Sequence, residues 1–250
     1  MPVLTETELR RSLMDRTVAT WTIPRGTVPT PAALDFLKER GITPVYAPAE
    51  TVKDARFREL PPGSFVGPGG ETLDRKPESM THLSGRRLVS KNHPVIAFRG
   101  KLDSLCAQIV SAQLLGSQLG REDFVADLGE VSEFVRRLLP CELRGEPVPP
   151  MLLCGWDAAA VKERSHHPQK YFGVGHMKSA LGMGALSVSL NVLRAQARET
   201  ELAAARAFVD DRGESAREDL VTALNRLSSL LYVLMYKYLP AGFVPEGAGI

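Results

Sequence analysis

The sequence predicts a mainly α protein, a bundle of four or five helices preceded by a small α/β unit. Three observations carry that expectation. From about residue 93 onward, apolar residues recur at spacings of three and four over long stretches. The stretch LPPGSFVGPGGETLDRKPES at residues 60–79 is crowded with turn formers (Pro61, Pro62, Gly63, Gly67, Pro68, Gly69, Gly70, Pro77) and separates two compositions. The final window, ALNRLSSLLYVLMYKYL, is apolar around most of its circumference after Leu227, as expected of a central bundle member. Residues 1–60 are thus expected to form the α/β unit, 61–92 an extended Pro/Gly-rich connector, 93–240 the bundle and 241–250 a flexible tail.

The elements follow in order. Thr5 and Glu8 form a capping-box pattern before LRRSLM, and TVATWTI is rich in β formers. Thr30 caps a helix whose first position is Pro31; PAALDFLKER runs to a stop at Gly41, and ITPVYAP reads as a second short strand. His93-Pro94 opens a helix through about Ser117, in which KLDSLCAQIVSAQ offers Leu102, Leu105, Ile109 and Val110 to a buried side. Arg121 to Leu139 places Phe124, Leu128, Val131, Val135 and Leu138 on one face. LPCELRGEPVPP reads as a proline-rich link, a shorter helix falls near Asp157 to Arg164, and Leu181–Val209 and Ser215–Leu239 complete the bundle.

Charge and cysteine usage narrow the classes. Lys and Arg total 31 against 29 Asp and Glu, and no block of like charge stands out, so neither nucleic acid nor an anionic membrane is an expected partner. No run of 18 apolar residues occurs, and Met1–Pro24 lacks the apolar core of a signal peptide, so a cytoplasmic protein is expected. Cys106, Cys141 and Cys154 form no CxxC pattern and read as free thiols. His82, His93, His166, His167 and His176 show no zinc-site spacing, so solvated or capping roles are expected and no metal site.

Some charges sit where a bundle interior is expected. In SLNVLRAQARETELAAARAF, Leu190, Leu193, Ala197, Ala204 and Phe208 define the buried side, and Gln196, Glu199 and Arg206 point away from it. Arg194, Arg198 and Glu201 share one flank of the apolar stripe, where charge must be paired or must meet a charged ligand. An Arg198/Glu201 surface pair is the plain alternative. Asn225, Ser228 and Tyr232 put a polar patch inside the last helix, readable as a satisfied core network. Asp103, beside Leu102, has a ready surface partner in Arg99 four residues earlier.

KPESMTHLSGRRLVSKNHPVIAFRGKLDSL, SHHPQKYFGVGHM, NVLRAQARETELAAARAF and ALNRLSSLLYVLM, in this order, closely resemble the ethanolamine-utilisation ATP:cob(I)alamin adenosyltransferases. The resemblance runs over most of the chain, TPAALDFLKERGI included, and extends more thinly to the propanediol-utilisation type. It implies a bundle of the cobalamin adenosyltransferase type and transfer of the 5′-deoxyadenosyl group of ATP to cob(I)alamin, releasing triphosphate, with Mg²⁺ sharing the phosphate charge. It also implies residue roles. Asp103 would pair with Arg194 to order the ATP site, across a subunit boundary. Arg198 would hold the triphosphate, and Glu201 would orient the site. Asn225, followed by Arg226, would face the nucleotide, and Lys76, Thr81 and Lys91 fall in the segment that wraps ATP. Tyr171, Phe172 and Met177 of the YFGVGHM loop are the candidates to fill the lower face of the corrinoid.

The departures count too. Enterobacterial enzymes of the ethanolamine type carry a His and a CCxxC cluster for a divalent metal just before the K-P-x-x-x-T-H-L-S segment. This chain has PGSFVGPGGETLDRKPES there, without a cysteine. The glycine-rich nucleotide loop of the propanediol type is reduced to KPESMT, and the aspartate that follows N-R-L-S is Ser229. The expected protein is a homo-oligomeric transferase with sites at subunit interfaces, serving a cobalamin-dependent lyase in the cytoplasm or a bacterial microcompartment. A corrinoid carrier without catalysis and a structural bundle of a microcompartment are the rival readings.

Overall fold

The computed structural model describes residues 3–13, 20–23, 27–46 and 63–244, and the chain divides into two compact units, Met1–Glu59 and Leu60–Ile250. The first unit runs β1 (Val3–Leu4), α1 (Glu6–Ser12), β2 (Thr20–Ile23), β3 (Val28–Pro29), α2 (Pro31–Glu39), β4 (Thr43–Tyr46). β1 pairs with β3 and β2 with β4, both parallel, which requires the helical crossovers that the sequence supplies. The capping box forms as expected: the Thr5 hydroxyl accepts from the Glu8 N–H at 3.3 Å, and the Glu8 carboxylate accepts from the Thr5 N–H at 2.9 Å. Leu9, Leu13, Ala33, Phe36, Leu37 and Ile42 form this unit's own core.

In the second unit the expected connector is not an extended link. Residues 65–90 build a four-stranded sheet, β5 (Phe65–Val66), β6 (Thr72–Leu73), β7 (Met80–Ser84) and β8 (Arg87–Ser90), in the order β6-β5-β8-β7. Of the prolines and glycines that suggested a link, Pro61 and Pro62 lie outside the described residues, and Gly67, Pro68, Gly69 and Gly70 form the β5–β6 turn: the Gly67 N–H donates to Glu71 O at 2.8 Å, and Gly70 adopts φ +87°. The β5–β8 pairing is parallel and distant in sequence, which composition alone cannot announce.

The helices carry most of the unit: α3 (Pro94–Gln118), α4 (Glu122–Arg144), α5 (Ala158–His166), α6 (Pro168–Phe172), α7 (Gly184–Phe208) and α8 (Glu218–Lys237). β9 (Leu152–Leu153) and β10 (Trp156–Asp157) form a hairpin between α4 and α5. His93 caps α3 by accepting the Val95 N–H on Nδ1 at 3.2 Å, and Asp157 caps α5. α4 passes through Pro140 instead of ending in the expected proline-rich link. An interior proline costs about 3 kcal/mol, but Leu138 and Cys141 are buried and Glu142 is engaged by Arg99, so tertiary contacts hold the last turn until Gly145 closes it in the left-handed conformation. Of the residues 241–250 expected as a tail, 245–250 lie outside the described residues.

Leu102, Leu105, Ile109, Phe124, Leu128, Leu190, Leu193, Leu224, Leu227 and Leu231 share one core, as the periodicity predicts. Val110 is a correction: it is 48% exposed. Gln196 is a second, since its side chain turns into the α3–α7 seam, where Gln108 Nε2 donates to Gln196 Oε1 at 3.2 Å. Carboxylates tie the helices together. Asp127 of α4 accepts from Lys237 Nζ at 2.7 Å and from the Tyr238 hydroxyl at 2.8 Å. Arg217, just before α8, donates to both oxygens of Asp219 at 2.9 Å and to the carbonyls of Cys141 and Glu146. Cys154 lies in the tight β9–β10 turn with φ +52°, and burial pushes its thiol up to about 12, so it is a structural thiol.

The Arg217 hydrogen bonds hold the Asp219 carboxyl below its usual range, against the opposing effect of burial. The unfolded chain therefore binds this proton more readily, so the pair's stabilisation is complete at neutral pH and is lost as pH falls below about 4, through the lowered value. Thermal denaturation from pH 7 to pH 3 should show this loss. Asp219→Asn should lower the melting temperature at pH 7 and flatten its acid dependence.

Candidate functional site

The polar flank of α7 and the polar patch of α8 meet. Glu201 accepts from Asn225 Nδ2 at 2.9 Å, and Arg226 Nη1 donates to Asn225 Oδ1 at 3.0 Å. Arg194 Nε donates to Asn191 Oδ1 at 3.0 Å. Arg198 is exposed and has no hydrogen-bonded partner among the described residues; the alternative Arg198/Glu201 surface pair does not form. Arg194, Arg198 and Arg226 thus make no carboxylate salt bridge among the described residues, and Glu201 is bonded to a neutral amide. Uncompensated arginine forks beside a polar cradle suit a polyanion such as a polyphosphate. Ser228 and Ser229 both donate to Asn225 O, at 2.8 and 3.2 Å, which steadies the α8 turn under the amide.

Asp103 lies apart from this group within the chain. It is exposed and makes no ion pair among the described residues, with Arg99 or with Arg194. Arg99 instead reaches Glu142. α3 and α7 run antiparallel: Thr200 Oγ1 approaches Lys101 O at 3.4 Å, and seven residues further along α3 Gln108 meets Gln196 of α7. Extending that register brings Val110 and Leu114 level with Val192 and Val188, all exposed (48%, 60%, 54% and 37%). Asp103 and Ala107 continue the α3 row by steps of four and three. The acid therefore stands at the end of an uncovered apolar face. A cavity of about 470 Å³ opens near this face between Pro94, Lys101, Glu199 and Arg206, on the side of α7 away from Arg198. Glu199, expected to point away from the core, does so, and is bonded to Lys101 at 2.7 Å.

The loop after α6 is held on α8 by a chain of hydrogen bonds. Tyr236 donates to Gly175 O at 3.0 Å, so its oxygen accepts from Tyr232 at 2.6 Å, and Tyr232 in turn accepts from His176 Nδ1 at 3.0 Å. One hydroxyl proton per tyrosine makes the chain one-way, which fixes the neutral His176 as the Nδ1–H tautomer. Burial and the Tyr232 hydrogen bond raise the Tyr236 phenol far above its usual value, so it stays a donor at any working pH. Phe172 stacks on Tyr236 with ring centres 5.1 Å apart, and Met177 packs against the bundle core. Tyr171 turns the other way, donating to Glu163 at 3.3 Å with Arg164 and Lys170 over its ring. Of the three loop candidates, Phe172 and Met177 face the bundle and Tyr171 faces α5. His176 and Tyr236 were missed because no periodic pattern marks a loop-to-helix relay.

Lys76, Thr81 and Lys91 form a separate group at the sheet. Lys76 Nζ donates to Met80 O at 3.2 Å, Lys91 pairs with Glu78 at 2.8 Å, and Thr81 sits in β7 opposite Val89. No hydrogen bond joins them to Arg198, Asn225 or Arg226 among the described residues. No three His, Cys, Asp or Glu side chains gather as a metal-binding group among the described residues. No helix there is long and apolar enough to cross a membrane.

Comparison with known proteins bears on the same residues. The pattern of the cobalamin adenosyltransferase family matches residues 159–238, which span α5 through α8. Corrinoid adenosyltransferase EutT of Escherichia coli K12 is 34% identical over 165 residues, 66% of this chain and 60% of the relative. The Salmonella typhimurium EutT is 32% identical over 161 residues, 64% and 59% of the two chains. The match therefore spans about three fifths of the relatives' own length. A variant PduO-type ATP:corrinoid adenosyltransferase from Lactobacillus reuteri, complexed with cobalamin and ATP, superposes with a TM-score of 0.49 at 16% identity, covering 66% of this chain and 93% of that one. Residues 159–238 thus carry the pattern of the cobalamin adenosyltransferase family, and two thirds of the chain is similar to corrinoid adenosyltransferases of the EutT type.

Proposed function

We propose that the protein transfers the 5′-deoxyadenosyl group of ATP to the cobalt of cob(I)alamin, yielding adenosylcobalamin and triphosphate. The observation that carries this reading is the set of three arginines, Arg194, Arg198 and Arg226, without carboxylate salt bridges among the described residues, on helices that match the cobalamin adenosyltransferase pattern. Cob(I)alamin arrives as substrate after one-electron reduction of the Co(II) form by an external reductant. Its cobalt lone pair attacks the ribose C5′, a Co–C bond forms, and the C5′–O bond breaks with its electrons leaving on triphosphate. So strong a nucleophile needs no protein base. The chain's tasks are alignment of the two substrates and stabilisation of the departing charge.

Arg198, without a hydrogen-bonded partner among the described residues, takes the leaving phosphates, with Arg194 and Arg226 on the same helices. Asn225 presents the amide that orients the nucleotide, and Glu201 holds that amide. Mg²⁺ enters with ATP; a single carboxylate completed by phosphate oxygens is an ordinary Mg²⁺ donor set, and Glu201 supplies it. Lys76, Thr81 and Lys91 cover the nucleotide from the sheet. Phe172 and Met177 offer apolar surface to the lower face of the corrinoid on a loop braced by His176, Tyr232 and Tyr236, with Tyr171 at its outer edge. Asp103 meets Arg194 of a second copy: the apolar rows Val110/Leu114 and Val188/Val192 are the face that a homo-oligomer covers, with the site at the boundary. A cytoplasmic protein supplying a cobalamin-dependent lyase, in or beside a microcompartment, completes the proposal.

Mixing the protein with ATP and chemically reduced cobalamin should give the adenosylcobalamin spectrum and one triphosphate per turnover. Bound corrinoid without that product would leave only the carrier reading, and no binding of either substrate would leave only a structural bundle. Arg198→Ala should raise KM for ATP by about tenfold or more, while Glu199→Ala stays within about twofold. Asp103→Arg and Arg194→Asp should each lower activity and weaken assembly measured by sedimentation, and the double reversal should restore part of both. A double variant no better than the singles would refute the contact. Tyr236→Phe should raise KM for the corrinoid and leave KM for ATP unchanged.

A further inference from the structure

Arg99 is committed to a place that neither its sequence neighbours nor the charged cluster explain. Its side chain is 17% exposed and that of its partner Glu142 9%. Nε and Nη2 donate to the two oxygens of Glu142 at 2.8 and 3.0 Å. Nη2 also donates to Leu83 O at 2.8 Å, and Nη1 to His82 O at 3.3 Å. One planar fork thus joins three elements: the first turns of α3, the last turn of α4 and the backbone of β7. Two consecutive carbonyls held by one guanidinium fix β7 both along its axis and in rotation.

β7 is the strand of Thr81. The turn before it is tied to the same sheet, since Lys76 Nζ donates to Met80 O and the Lys91 N–H donates to Ser79 O at 3.0 Å. On the bundle side, Lys101, two residues after Arg99, is level with Thr200, the neighbour of Glu201. The hairpin is therefore clamped at the end of the bundle where Glu201 and Asn225 meet, and the placement of residues 76–91 relative to that cradle runs through Arg99.

We infer that Arg99 and Glu142 are a positioning pair for the nucleotide: neither touches it, and together they set the β7–β8 segment against the arginine cradle. The inference rests on the adenosyltransferase reading for the identity of the ligand. A pair that merely stabilised α3 against α4 would tolerate lysine, which keeps the charge and one contact to Glu142. A positioning fork would not, because an ammonium cannot hold a carboxylate and two carbonyls in one plane.

Arg99→Lys in the full chain discriminates the two. Calorimetric titration with ATP and, separately, with hydroxocobalamin gives both affinities, and amide hydrogen exchange reads the hairpin directly, without turnover. The expected result is an ATP Kd raised by about tenfold, a corrinoid Kd within about twofold, and faster exchange confined to residues 80–90. Unchanged exchange in the hairpin, or faster exchange with an unchanged ATP Kd, overturns the inference while the adenosyltransferase reading stands. Failure of the unaltered protein to bind ATP sinks both. If Arg99→Lys does not fold, Glu142→Gln, which keeps the shape and one acceptor, is judged by the same two readouts.

Discussion

Burial of α8 is the constraint on which the rest of the structure depends. Leu220, Leu224, Leu227, Leu230, Leu231, Val233 and Leu234 are fully buried on a single helix, so its polar groups cannot turn to water for partners. Ser228 and Ser229 turn back on the helix itself, and several others are met by neighbouring elements. Asn225 is met by Glu201 of α7, Tyr236 by Gly175 of the loop, Tyr238 by Asp127 of α4, and Met235 O by the Ser187 hydroxyl of α7 at 2.6 Å. The partners demanded by one buried helix lay out both halves of the candidate site, the amide cradle at its N-terminal end and the braced loop near its C-terminal end.

The arginines divide by what answers them. Arg99 and Arg217 are mostly buried and bonded to carboxylates and backbone carbonyls, which commits four of the five N–H donors of each to the fold. Arg194 and Arg226 meet only neutral asparagines, and Arg198 meets nothing among the described residues. A guanidinium paired with a buried carboxylate has no capacity left for a phosphate, whereas one bonded to an amide keeps its full charge. The same residue type therefore serves architecture at one position and, in the proposed function, ligand binding at another, and the identity of the partner separates the two.

Legibility of the sequence followed the range of the interactions. The long helices, the Thr5 and Thr30 caps and the α7 stripe rest on local spacing, and they appear where the pattern puts them. The sheet at residues 65–90 rests on pairing between strands far apart, so its turn residues read as a link. Pro140 looked like a helix end because the Leu138, Cys141 and Glu142 contacts that carry α4 past it come from other elements. Arg99 was given its i+4 neighbour Asp103, yet a buried carboxylate 43 residues away and two free carbonyls made a stronger set of acceptors. His176 and Tyr236 belong to the same class: a relay between a loop and a helix has no period. The cluster on α7 and α8 was legible because charge on the flank of an apolar stripe is visible in one dimension.

Among the described residues Asp103 has no charged partner. An acid at the end of a bare apolar row gains nothing from water that a partner's arginine would not exceed, once the row is covered and the local dielectric falls. Arg194 has the complementary deficit, since its bond to Asn191 leaves its charge unanswered. Both groups stand on the helices that carry the uncovered Val110/Leu114 and Val188/Val192 rows. In the proposed assembly, covering those rows with a second copy would remove apolar surface from water and strengthen a pair between Asp103 and Arg194. The order of the phosphate cradle would then depend on assembly, because Arg194 lies one helical turn from Arg198, and whatever fixes the first sets the reach of the second.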